Sequence, residues 1–201
     1  MSTRPLFAAT RPSSLTTASP LHAIIFMKIG YHADEDLAQI LARKKREEEE
    51  CGVIFWGYGG NACHPTNQVL PFVSHAIAAQ QRPVLAMKVT QSRFSGECRF
   101  ATEFSVDGVD WNPLPPGAIV KGSRYALICR NIQQVDAQLN LAEYTVAIGP
   151  SVGKQLNSYL RYRVDKACAW FTGDSSSDDG LHTADISYVA DLVEPYAVFV
   201  R

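Results

Sequence analysis

Hydrophobic positions along this chain fall mostly in short blocks of strand length, interrupted by stretches in which they recur every three or four residues. The block 22–29 is apolar and β-branched and predicts a strand that Gly30 stops. Asp34 then caps a helix with an acidic first turn (Glu35, Asp36) and with Leu37, Ile40 and Leu41 on one face. Its second half, RKKREEEE, sets Arg43, Lys44, Lys45 and Arg46 each four residues before a glutamate. That is the weaker order for such pairs, and it puts four acids at the negative end of the helix dipole, so this end is predicted to fray. The charge run reads as a solvated face or, alternatively, as a face for a protein partner.

Gly52 suits a left-handed helix cap, and Val53–Trp56 reads as a buried strand. No periodicity follows from Gly57 to Leu70, a long loop for a compact domain. Pro71 suits the first position of a second helix, whose apolar face is Phe72, Val73, Ala76 and Ile77. Pro83–Thr90 predicts a strand. Thr102–Trp111 predicts a hairpin turning at Asp107-Gly108, with Val106 opposite Val109 and Phe104 opposite Trp111. Tyr125–Cys129 and Tyr144–Ile148 read as strands, and Ser151 as the cap of a third helix reaching Tyr162. Ala167–Phe171, Ile186–Val193 and Tyr196–Val200 complete the strands around an acidic loop, GDSSSDDG. Strands outnumber helices and follow one another without intervening helices. The expected fold is α+β, with a mixed, mainly antiparallel sheet of about seven to nine strands, curled or barrel-like, and three helices. Residues 1–20 are expected to be a flexible leader and 21–201 a single domain.

Composition narrows the class. With 46% hydrophobic residues, 19% charged and a formal net charge of -1, the 201-residue chain is neither disordered nor collagen-like. Lys+Arg 19 against Asp+Glu 20 excludes a strongly cationic, sequence-blind nucleic-acid binder. The balance is uneven, however: residues 82–171 carry eleven basic and seven acidic side chains, and 172–201 one basic and six acidic. Five scattered cysteines without a C-x-x-C pair fit neither a disulfide framework nor a structural zinc site, so a reducing, cytoplasmic setting is expected and no metal. No apolar run has the length of a membrane span. The Ser/Thr-rich, acid-free first twenty residues are also compatible with organellar import.

Three constellations carry candidate chemistry. In the loop GYGGNACHP, glycines at 57, 59 and 60 allow close approach of backbone to a ligand, Trp56 and Tyr58 offer flat π surfaces, and Asn61 and His64 offer hydrogen bonds. That combination suits a nucleobase or another heteroaromatic. Cys63 beside His64 also admits a thiolate nucleophile, with His32, His75 or His182 as alternative bases brought near by folding. The second constellation, Gly149-Pro150-Ser151-Val152-Gly153-Lys154, is like a Walker A loop but one residue too short between glycines, and Gln155 stands where Mg²⁺ needs a hydroxyl. The P-loop reading fails on both counts. A simple anion site remains, made by Gly149, Ser151, Gly153 and Lys154 at a helix start. The third, Asp174, Asp178 and Asp179, lacks the spacing of a calcium loop and reads as a solvated loop.

The opening strand–helix–strand, IIFMKIG…DEDLAQILARKKREEEE…VIFWG, resembles the start of PUA-like EVE and YTH modules. The resemblance implies an aromatic pocket for a modified base, although the cage tryptophans of the YTH type have no residue-by-residue match. The expected function is a non-catalytic binding module for a planar polar ligand, a nucleotide or nucleobase, free or within nucleic acid, using Trp56, Tyr58, Gly60, Asn61 and His64 with the basic turn at Lys154, and with no cofactor. The alternatives are a small thiol-dependent hydrolase or transferase with Cys63 as nucleophile and His64 beside it, and a protein–protein interaction module.

Overall fold

The computed structural model describes residues 20–94, 98–161, 164–174 and 183–201. The expected leader up to residue 19, Asp178, Asp179 and His182 lie outside them. Nine described strands form one sheet: β1 (Ala23–His32), β2 (Ile54–Tyr58), β3 (Pro83–Phe94), β4 (Glu103–Ser105), β5 (Asn112–Pro113), β6 (Tyr125–Asn140), β7 (Tyr144–Val146), β8 (Lys166–Phe171) and β9 (Thr183–Val200). The helices are α1 (Leu37–Cys51), α2 (Leu70–Ala78) and α3 (Leu156–Tyr159). The main strand order is β2-β6-β9-β3-β1-β8-β7, with β4 joined to β9 and β5 to β4. Only β1 and β3 run parallel. The fold is thus α+β and mainly antiparallel, as the pattern predicts, and the sheet is not closed into a barrel.

β1 is a continuous apolar run because both of its faces are covered. Ile25, Met27 and Ile29 join one core cluster with Ile54, Trp56 and Tyr58 of β2, Ile40 of α1, and Phe72 and Val73 of α2. Ile24 and Phe26 join another with Val84, Tyr144, Leu156 and Ala169. β2 and β1 stand four places apart in the sheet yet share one cluster, so the sheet curls until its open end at β2 approaches β1. That curl brings the site together.

Several elements differ from expectation for identifiable reasons. Asp36, not Asp34, caps α1: its carboxylate takes the Gln39 N–H, and the Gln39 side chain takes the Asp36 N–H, a reciprocal capping box. The charged half of α1 stays helical to Cys51 and ends on Gly52 in the left-handed conformation (φ 74°). Lys44 and Glu47 are buried there, so the charge run is only partly a solvated face. Pro65 starts a π-helical turn, Pro65–Val69, that feeds α2 and shortens the expected loop. At the hairpin the register is Glu103 to Pro113 and Phe104 to Asn112. The Asp107 carboxylate accepts the N–H groups of Val109 and Asp110, which opens the two-residue turn into a longer loop. β6 runs on to Asn140, far beyond the expected Tyr125–Cys129, and the two expected blocks Ile186–Val193 and Tyr196–Val200 join into the single strand β9, because β6 and β9 pair with each other along nearly their whole length.

Candidate functional site

The curl leaves a cleft of about 520 Å³ between the carboxyl end of β1 and the end of β2. β8 accompanies β1 only as far as Met27; after one further bond, Lys28 N–H to the Asp165 carbonyl, β1 runs on without it. Residues 27–32 of β1 form one wall, residues 56–60 the opposite wall, and α1 together with residues 119–123 closes a third side. Asp165 and Lys166, at the start of β8, complete it.

Glycine is required in the β2 wall. A Cβ on Gly57 would lie 2.5 Å from Ser123 Oγ and 2.9 Å from Val120 Cγ1, so the 119–123 segment can lie flush on β2 only over a glycine. Gly60 has φ 77°, and a Cβ there would come 3.9 Å from Lys166 Nζ. The ammonium of Lys166 therefore reaches the glycine loop from the other end of the sheet. Trp56 and Tyr58 are buried in this wall, and the Tyr58 hydroxyl turns inward to donate to the Cys63 carbonyl. Burial pushes the Tyr58 phenol far above its ordinary value, so it remains a neutral donor.

The charged groups of the cleft are mostly tied down. Lys44 Nζ donates to Glu47 Oε2 (2.7 Å) and to the carbonyls of Phe55 (2.6 Å) and Ile119 (2.8 Å), which uses all three of its protons. Burial lowers its pKa against the attraction of Glu47. Lys28 Nζ donates to the Leu160 and Val164 carbonyls, and burial lowers its pKa too. Arg43 grips Glu35 with two N–H groups (3.0 and 2.7 Å) and gives a third to the Ile119 carbonyl. Lys121 Nζ sits 3.1 Å from the same Glu35. Burial opposes the ionised form of Glu35, but hydrogen bonds to Arg43 and Lys121 outweigh it and hold the carboxyl below its usual range. Lys166 Nζ contacts Asp165 Oδ1 at 2.5 Å. The lysine side chain is 6% exposed and the aspartate 56%.

Of the residues singled out in the sequence, Trp56, Tyr58 and Gly60 line the cleft. Asn61 and His64 lie beside it rather than in its lining: Asn61 accepts from the Tyr125 hydroxyl, and the His64 ring packs on Tyr125 and Phe199 at 5.2 and 5.4 Å. Cys63 is fully buried, with its Sγ 3.9 Å from Cys168 Sγ. His64 turns to the aromatic cluster, and the ring of His75 lies on Trp170. The thiol–thiol contact and burial drive the Cys168 thiol well above its ordinary value.

No protein-family model matches this chain, and no curated protein and no solved structure matches it significantly.

The 149–154 turn is not part of the cleft lining. Its helix begins later than expected, at Leu156, and lasts only to Tyr159 with no side-chain cap. The N–H groups of Val152, Gly153 and Lys154 are already taken by the carbonyls of Gly149, Val146 and Ser151, so Ser151 caps nothing and Lys154 stands on a hydrogen-bonded turn. Gly149 and Gly153 serve the turn itself, with φ 90° and 82°. Among the described residues no group of His, Cys, Asp and Glu is placed to hold a metal. No described helix is long and apolar enough to cross a membrane. Sequence reading missed Tyr31, Lys121 and Asp165 and took His32 only as a possible base for Cys63; the structure sets them all in the cleft lining together with Lys166, one of the basic residues that follow Lys154 in the sequence.

Proposed function

We propose that the cleft is a non-catalytic binding site for a planar polar ligand, a nucleotide or nucleobase. One observation carries this reading: the curled sheet gathers Tyr31, Trp56, Tyr58 and the backbone of Gly57, Gly59 and Gly60 around about 520 Å³, next to the Lys166 ammonium. A volume of this size takes one small ligand, and the mix of flat apolar rings with a few polar groups is the usual make-up of such sites. Glycine backbone gives a ring edge unhindered N–H and C=O partners. The thiol alternative receives less support, because Cys63 is fully buried and its neighbour is another thiol rather than a base.

Gly59 supplies the test. A Cβ there would meet nothing within 4 Å, and its φ is not in the left-handed region, so this cleft-lining position accepts a larger side chain without straining the backbone. Titration calorimetry of the full chain against nucleosides and nucleoside monophosphates is expected to find a binder. Gly59→Leu is expected to abolish that binding while leaving the melting temperature of the free protein within about 2 °C, since a surface change of this kind shifts stability little. Binding that survives Gly59→Leu, or no binding by any member of the panel, overturns the proposal.

A further inference from the structure

The cleft is lined by five cations, Lys28, Arg43, Lys44, Lys121 and Lys166. Three carboxylates bond to them: Glu35, Glu47 and Asp165. The cavity is therefore left with an excess of positive charge. The cations are not equivalent. Lys44 has used every proton on protein acceptors, Lys28 is drawn back to two carbonyls, and Arg43 is held by Glu35 and Ile119. Lys121 also meets one carboxylate, Glu35, but its side chain is 19% exposed and water reaches it. Lys166 differs in burial: its side chain is 6% exposed, and among the described residues the Asp165 carboxylate is its sole hydrogen-bond partner. An ammonium has three N–H donors, and a buried one with two of them unmatched by protein is costly to keep. Asp165 is more than half exposed, and an exposed carboxylate holds its partner weakly.

We infer that Lys166 is the anion contact of this cleft and that the ligand is a nucleoside phosphate rather than a neutral base or nucleoside. The inference rests on the reading of the cleft given above. Lys166 projects between the start of β8 and Gly60, so a phosphate there sits beside the glycine loop while the base lies toward Trp56 and Tyr31. The phosphate takes the place of Asp165, which turns to solvent, and its oxygens serve both the N–H that Asp165 held and the N–H groups that protein leaves unmatched. The phosphate belongs either to a free mononucleotide or to a base within a short strand; the chemistry at Lys166 is the same.

The experiment compares, by titration calorimetry at fixed salt, each nucleoside with its 5′-monophosphate and with a single-stranded trinucleotide carrying that base in the centre. Wild type, Lys166→Met, Asp165→Asn and Gly59→Leu are measured. A phosphorylated ligand is expected to bind wild type at least tenfold more tightly than its nucleoside. Lys166→Met is expected to remove that advantage, and Asp165→Asn to raise affinity for the phosphorylated ligand severalfold. If the advantage appears with the trinucleotide alone, the same contact is supplied by a strand. A nucleotide-to-nucleoside ratio unchanged in both Lys166→Met and Asp165→Asn, with binding still lost in Gly59→Leu, overturns the role of Lys166 and leaves the cleft reading intact. Absence of binding by all of these ligands overturns both. Asp165→Asn alters an exposed group and keeps the test open even if Lys166→Met fails to fold.

Discussion

At the scale of single residues, the side chains that matter most to this fold are charged ones in the wrong place for a surface helix. Glu47 sits in α1, yet its Oε1 accepts the Phe55 N–H at 2.6 Å, and its Oε2 accepts both Lys44 Nζ and the Ile119 N–H. One carboxylate thereby ties α1 to β2 and to the segment that closes the cleft. Its removal leaves a buried ammonium and two amides without their partner. Glu47→Ala is therefore expected to cost about 3–5 kcal/mol, measured by urea denaturation. A loss below about 1 kcal/mol would mean that the pair is hydrated in solution. Gly57 makes the complementary point about size. Gly57→Ala drives a methyl into Ser123 and Val120, with an expected cost of about 1–3 kcal/mol, which Ser123→Gly is expected to relieve in part. Additivity of the two changes in a double-mutant cycle would sink this account.

At the scale of elements, α1 is held at both ends by more than its own hydrogen bonds. Near its start, Arg43 and Lys121 converge on Glu35, whose carboxyl is held below its ordinary range. A carboxylate whose folded pKa is depressed adds stability that is fully present above the unfolded value, and that stability is lost as pH falls through the folded pKa. Denaturation midpoints measured at pH 6 and pH 3 are expected to fall more steeply in wild type than in Glu35→Gln, which has no charge to lose. Equal slopes would show that the cluster is screened by solvent. The apolar spacing of Leu37, Ile40 and Leu41 made this helix legible in the sequence. The burial of Lys44 and Glu47 was not, because RKKREEEE has the same composition whichever of its members turns inward. The hairpin at Asp107 shows the same limit: the Asp-Gly pair marks a turn, but the Asp107 carboxylate can cap Val109 and Asp110 instead of permitting a two-residue turn.

At the scale of the whole molecule, the curl of an open sheet is the decisive feature. It buries one cluster from β1, β2, β6 and α2 and leaves the cleft at the mouth of that curl. The same packing seals the cysteines of the interior. Cys63, Cys129 and Cys168 are buried, and Cys51 and Cys98 are partly exposed. Iodoacetamide followed by mass spectrometry is expected to modify only Cys51 and Cys98 in the native protein, and all five after unfolding. Rapid native labelling of Cys63 would restore the case for a reactive thiol.

By itself the sequence determined the α+β class, most of the strand blocks, the helical face of α1, its Gly52 cap and the place of the Trp56–Gly60 segment. Each of these follows from local periodicity or from a residue's own backbone preference. Tertiary structure alone decided that β6 runs to Asn140, because its second half is largely polar and takes strand geometry by pairing with β9, whose two apolar blocks it joins into one strand. It also decided which cations meet at the cleft. Lys28, Lys121 and Lys166 are far apart along the chain, and no pattern within a segment records that a curled sheet will set Lys166 beside Gly60 and send the turn at Lys154 elsewhere.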